Sequence, residues 1–193
     1  QCLDCKEWNT LEEIVISQTT SSKPQILKDL PASKVQNLSE VKSQNKERLS
    51  TGLTELDRTL GGGLVDGSVV LIGGDPGIGK STLILQALAA VNAANTTLYV
   101  SGEESAEQVS QRALRLGIKE DILFIGETHL EKIIKLSKDV QPKVIVIDSI
   151  QTMVTDLSTS TPGSVTQVRD CAAQLTQYAK QTNTILLMIG HVT

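Results

Sequence analysis

The sequence predicts an α/β protein: a mostly parallel sheet with helices on both faces. Three observations carry this. From Ser68 onward, short β-branched runs alternate with stretches of helical periodicity, the signature of repeated βα units. Aromatic residues are only 2% of the chain, so Val, Ile, Leu and Ala must build the core, which suits a sheet sandwiched by helices. The stretch from Ser68 to Gln86, SVVLIGGDPGIGKSTLILQ, runs strand, glycine-rich loop and helix in direct succession. Such repeats imply right-handed crossovers.

The elements follow in order. Ser50 or Thr51 is placed to cap a short helix carrying Leu53, Leu56 and Leu60, which Gly61-Gly62-Gly63 ends. Val69 to Ile72 form a strand that stops at Gly73-Gly74. Lys80-Ser81-Thr82 then open an amphipathic helix that continues through Leu83, Leu85, Leu88 and Val91. TLYVS, Thr97 to Ser101, is the second strand. Ser105 with Gln108 makes a capping box for a helix presenting Ala106, Val109, Ala113 and Leu116 on one face. Ile122 to Ile125 is a strand, and Leu130, Ile133 and Ile134 mark a helix. KVIVID, Lys143 to Asp148, is a fully buried strand. A Ser/Thr/Pro/Gly loop from about Thr155 to Ser164 leads into a long helix with Val168, Cys171, Ala172, Leu175 and Ala179 on one stripe. Cys171 reads as a small core residue there. The last strand is Thr184 to Ile189.

Before this core, residues 1–16 carry Cys2-Leu-Asp-Cys5, half of a tetrahedral zinc site that needs two further ligands before Gln1. A redox pair or chance spacing are the alternatives. Residues 17–47 read as a linker rich in Ser, Thr, Lys, Gln and Asn. Between Ser17 and Ser50 six basic residues face three acidic ones, an excess that could touch phosphates or simply solvate a tether. Residues 48–193 form the core domain. The missing initiator methionine and the stop just after a strand predict a piece of a longer chain. Net charge of -4 argues against a generally basic nucleic-acid binder and leaves room for a local basic surface, for example inside a ring. No apolar run approaches the roughly 18 residues of a membrane span, and no secretory signal opens the chain. An odd count of three cysteines points to a reducing, cytoplasmic setting.

The chemistry concentrates at strand ends. Gly74-Asp75-Pro76-Gly77-Ile78-Gly79-Lys80-Ser81 fits the phosphate-binding pattern G-x-x-x-x-G-K-[ST], with Thr82 beside it. Glycines 74, 77 and 79 bring main-chain N–H groups close to an anion, and the following helix points its positive end at it. A nucleoside triphosphate with Mg²⁺ is the expected ligand. Lys80 should reach its β- and γ-phosphates, while the Ser81 hydroxyl and Asp148 hold the metal. Glu103 is the candidate for orienting or deprotonating the attacking water, with Glu104 as its neighbour and understudy. A solvated helix cap is the alternative for that pair, and a plain helix N-cap for Asp148. His191, after the final strand, could sense the γ-phosphate or be a packed, satisfied histidine. No aromatic is placed to stack on adenine or on single-stranded bases, so any grip on DNA should run through phosphates and be salt-sensitive.

The runs RLSTGLTELDRTLGGGL, GGDPGIGKST, YVSGEES, VIVIDSIQTM and LLMIGHVT resemble the RecA-like P-loop ATPase core, and within that group the bacterial RadA (Sms) family of DNA repair proteins. CLDCKEWNT resembles the second half of that family's four-cysteine zinc finger. The resemblance implies that Glu103 is the catalytic glutamate, that His191 is the γ-phosphate sensor, and that the loop near Thr155 to Ser164 faces DNA. It implies ATP as the triphosphate, a homo-hexameric ring around single-stranded DNA, ATP-driven branch migration beside the recombinase RecA, and a neighbouring subunit's arginine finger. It also implies Zn²⁺ where the upstream C-x-x-C is present. That first C-x-x-C, the family's Lys-Asn-Arg-Phe-Gly stretch and its carboxy-terminal protease-like domain do not occur in these 193 residues. Two other functions share parts of this pattern: a KaiC-like regulatory autokinase, and a non-hydrolysing, nucleotide-gated module that binds recombinase.

Overall fold

The computed structural model describes residues 47–191, together with Asn37 and Ser39. The chain divides into two compact units, and the second, Asn45–Thr193, holds the whole sheet. The C-x-x-C of Cys2 and Cys5 lies outside the described residues.

Five parallel strands form the sheet: β1 (Val69–Gly74), β2 (Thr97–Ser101), β3 (Leu123–Gly126), β4 (Val144–Asp148) and β5 (Ile185–His191), in the order β1-β5-β4-β2-β3. Helix α1 (Thr54–Thr59) precedes β1, and four helices join the strands: α2 (Lys80–Asn92), α3 (Ala106–Arg115), α4 (Leu130–Val140) and α5 (Val165–Thr182). The predicted parallel sheet covered by helices is the fold observed.

The strand side chains explain the two-layered burial. Successive residues point to opposite faces, so a strand apolar at every position feeds two cores. Val144, Val146, Tyr99, Ile185 and Leu187 pack with Ile84, Leu85 and Leu88 of α2. Ile145, Ile147, Leu98, Val100, Leu186 and Met188 pack with Leu130 and Ile133 of α4 and Cys171 and Leu175 of α5. The predicted stripe of α5 is thus the face that meets the sheet. The Ser105–Gln108 capping box opens α3 as expected: Ser105 Oγ accepts from the Gln108 N–H, and Gln108 Oε1 accepts from the Ser105 N–H.

Two details depart from the sequence reading. Ser50 and Thr51 do not cap α1, whose N-cap is Leu53. Both hydroxyls donate instead to the Asp57 carboxylate inside the helix, at 2.6 and 2.7 Å, so the acid gathers the preceding turn. The last strand also runs beyond Ile189: Gly190 and His191 pair with Gly73 and Gly74 of β1. Gly190, with its low strand propensity, hides that extension. His191 is therefore the last residue of β5, not a residue after it.

Register places the site. Gly74 lies beside His191, and Ser101 beside Asp148. With every strand parallel, the loop after β1, the Glu103 turn after β2, Asp148 and His191 share one edge of the sheet.

Candidate nucleotide site

The loop after β1 is shaped by backbone conformation. Gly77 and Gly79 have φ of 81° and 97°, a region that side chains disfavour, although a Cβ at either would meet no atom within 4 Å. The glycines are there for the backbone, and they leave the loop's inner surface open. Gly79 is the N-cap of α2, so the unpaired N–H groups of that helix's first turn face the same space.

Lys80 is buried at 7% exposure and folds over this loop. Its Nζ donates to the carbonyls of Gly74 at 2.7 Å and Asp75 at 2.8 Å, and lies 3.3 Å from His191 Nδ1. An ammonium has only donors, so Nδ1 accepts and the ring's hydrogen sits on Nε2. That Nε2 faces Glu103 Oε1 at 3.7 Å, longer than a direct hydrogen bond. The Ser149 hydroxyl donates to the same Oε1 at 2.5 Å.

The turn carrying Glu103 is fastened on both sides. Ser101 Oγ accepts from the N–H groups of Glu103 and Glu104 at 3.3 and 2.9 Å. The Gly102 N–H donates to the Asp148 carbonyl at 3.0 Å. A Cβ on Gly102 would stand 2.2 Å from Thr152 Oγ1, so only glycine lets the two loops touch. Glu104 turns away to a paired contact with Arg112, whose Nη1 donates to Oε2 at 2.7 Å. Glu104 is thereby the partner of Arg112, while Glu103 is held by the Ser149 hydroxyl instead.

Asp148 is 5% exposed, and its Oδ2 accepts a short hydrogen bond from the Tyr99 hydroxyl. Burial pushes the Tyr99 hydroxyl well above its usual range, and the Asp148 carboxylate beside it pushes the same way, so Tyr99 stays a donor.

These groups line one cleft of about 570 Å³: Pro76, Gly77, Gly79, Lys80, Ser81 and Thr82 from the loop and α2, Glu103, Glu104 and Arg112, and Asp148 and His191. A second cleft, of about 510 Å³, lies at the amino ends of β4 and β5 beside Lys138, Lys143 and Tyr178, and has neither glycine loop nor carboxylate. Ligands of open parallel sheets sit at the carboxyl ends, so the first cleft is the candidate.

The donor set there fits a polyphosphate with a hard divalent cation. Main-chain N–H groups and Lys80 match phosphate oxygens, while the Ser81 hydroxyl and the Asp148 carboxylate match Mg²⁺, which takes few protein ligands beside phosphates. Among the described residues no cluster of three or more His, Cys, Asp or Glu side chains forms a metal site, and no helix is long and apolar enough to cross a membrane.

A family model described as an AAA domain matches residues 36–193. Over its whole length the chain is 51% identical to the DNA repair protein RadA of Pseudomonas aeruginosa and 46% to that of Escherichia coli K12, covering 43% of each. It is 42% identical to the DNA repair protein RadA of Bacillus subtilis, again covering 43%. The chain belongs to this AAA domain family, and over its whole length it is RadA-like. It spans less than half the length of these RadA relatives.

The site contacts that sequence reasoning left out are those of Tyr99, Arg112, Ser149 and Gln151. Each acts through a predicted residue: Tyr99 on Asp148, Arg112 on Glu104, Ser149 on Glu103, and Gln151, whose Nε2 donates to the His191 carbonyl at 3.1 Å. Of these, only Ser149 carried a signal, its place directly after Asp148.

Proposed function

We propose that this chain binds ATP with Mg²⁺ and hydrolyses it, as the motor of a cytoplasmic DNA repair protein. The observation that carries the reading is the convergence of Lys80, Ser81, Asp148, Glu103 and His191 on one cleft at the carboxyl edge of the sheet. The triphosphate lies on the N–H groups of residues 77–80, with Lys80 moving from the loop carbonyls to phosphate oxygens. Ser81 and Asp148 would hold Mg²⁺, which when bound neutralises charge on the β- and γ-phosphates.

Glu103 orients a water against the γ-phosphorus and takes its proton. The water oxygen bonds to phosphorus as the bond to the β–γ bridging oxygen breaks, and the electron pair leaves on ADP. His191, between Lys80 and Glu103, registers the γ-phosphate and its loss. The names of the relatives support DNA repair as the setting. In the full-length protein this turnover is coupled to single-stranded DNA, in a homo-hexameric ring that drives branch migration beside RecA. Cys2 and Cys5 would serve as half of a zinc site where the family's first C-x-x-C is present.

The test is ATP turnover by the purified full-length protein with and without single-stranded DNA, across salt. Stimulation that fades as salt rises is expected, because contacts through phosphates release counterions. Turnover indifferent to any DNA would overturn the coupling and leave a plain ATPase.

A further inference from the structure

Glu103 is 41% exposed at its side chain, and an exposed glutamate on a turn normally samples many rotamers. In this fold one of its oxygens is tied down. Ser149 is fully buried, and its hydroxyl donates to Glu103 Oε1 at 2.5 Å. The serine is itself fixed: its carbonyl accepts from the Thr152 hydroxyl at 2.8 Å and from the Thr152 N–H at 3.2 Å. The second charged or polar neighbour of the carboxylate, His191 Nε2, faces the same Oε1. Both protein groups thus approach one oxygen, which leaves the other, Oε2, for the cleft that Glu103 lines. Glu104 does not compete, being engaged by Arg112.

We propose that Ser149 is the positioning residue for Glu103: its hydroxyl holds Oε1 so that Oε2 presents to the attacking water. The role differs from that of Asp148 next to it, whose carboxylate would hold Mg²⁺ in the proposed mechanism. It rests on the reading of Glu103 as the water-orienting carboxylate, and it adds a function for a buried hydroxyl that the mechanism otherwise leaves idle. A donor on one oxygen restricts rotation of the carboxylate about its terminal bond, the torsion with the broadest freedom in glutamate. Its loss is expected to act on the chemical step, because Ser149 is buried and does not line the cleft.

The experiment is a double-mutant cycle on the full-length protein, with single-turnover hydrolysis and nucleotide binding measured for wild type, S149A, E103Q and the double variant. Expected are a rate for S149A down about tenfold with the ATP dissociation constant within twofold of wild type, a deeper loss in E103Q, and no further loss in the double variant. S149A hydrolysing at the wild-type rate would overturn the proposal, as would an equal additional loss from S149A in the E103Q background, the mark of a merely structural serine. E103Q turning over like wild type would instead remove the parent reading of Glu103. Should S149A fail to fold, S149C keeps the volume with a weak donor and is expected to show the same split between rate and binding.

Discussion

Lys80 is a cation with nearly all of its surface removed from water, and two loop carbonyls and an imidazole nitrogen satisfy its three hydrogens. Such a site holds a lysine only while those partners remain or a phosphate replaces them. Lys80→Ala is expected to abolish turnover and weaken ATP binding at least tenfold, read by nucleotide titration. Tyr99 makes a different kind of contribution. Tyr99→Phe leaves Asp148 Oδ2 buried without its donor, an expected cost of about 1–3 kcal/mol. The Mg²⁺ concentration for half-maximal turnover should rise roughly tenfold, the low end for partners that orient a metal's ligand. An unchanged Mg²⁺ requirement would refute that role. At this scale the sequence was legible where chemistry is local. The loop glycines, Lys80 and Ser81 announce themselves by spacing, and Asp148 by closing an apolar run. Tyr99 and Arg112 were not, because their partners lie 49 and 8 residues away and nothing in either neighbourhood demands a polar contact.

Two elements carry further tests. The turn after β2 touches the short 3₁₀ turn Ile150–Thr152 through Gly102. Gly102→Ala drives a methyl into Thr152, an overpacking worth about 2 kcal/mol and roughly 4–8 °C in Tm for a chain of this size. Adding Thr152→Ala, which removes the nearest atom, Oγ1, and leaves Thr152 Cβ and Thr128 Cγ2 close by, should recover part of that loss. The start of α4 is pH-sensitive. Glu127 Oε1 accepts from the N–H groups of His129 and Thr128, and Lys132 pairs with Oε2. These contacts, the His129 N–H first, lower its carboxyl to about 2, from 4.5. A carboxyl depressed in the folded state contributes stability above about pH 4.5 and loses it as pH falls toward 2. Glu127→Gln should therefore flatten the fall of Tm across that window. A slope equal to wild type would contradict it.

Element type was readable from period and composition: β2 and the start of α2 fall where the sequence placed them. Misreadings occur where a side chain had two options. Ser50 and Thr51 looked like helix caps because Ser and Thr usually are, but Asp57 one turn into α1 outbid the backbone for their hydroxyls.

At the scale of the molecule, the order β1-β5-β4-β2-β3 is what makes a site from scattered residues. It inserts β5 between β1 and β4, so that His191 stands between Lys80 and Glu103. No local pattern encodes that order, because strand neighbours are chosen by long-range burial, and five near-identical apolar strands differ little in what they offer one another. The general rule that ligands gather at the carboxyl ends did forecast which edge would matter. On the proposed mechanism the same architecture would make nucleotide binding and hydrolysis separable: the loop after β1 would grip phosphate, while the turn after β2 would activate water.

The most direct measurement is single-turnover hydrolysis of pre-bound ATP with Mg²⁺ by wild type and Glu103→Gln. The variant is expected to load the same amount of ATP and to cleave it about 10²–10³-fold more slowly, as loss of a general base requires. Equal cleavage rates would mean that the water is activated elsewhere.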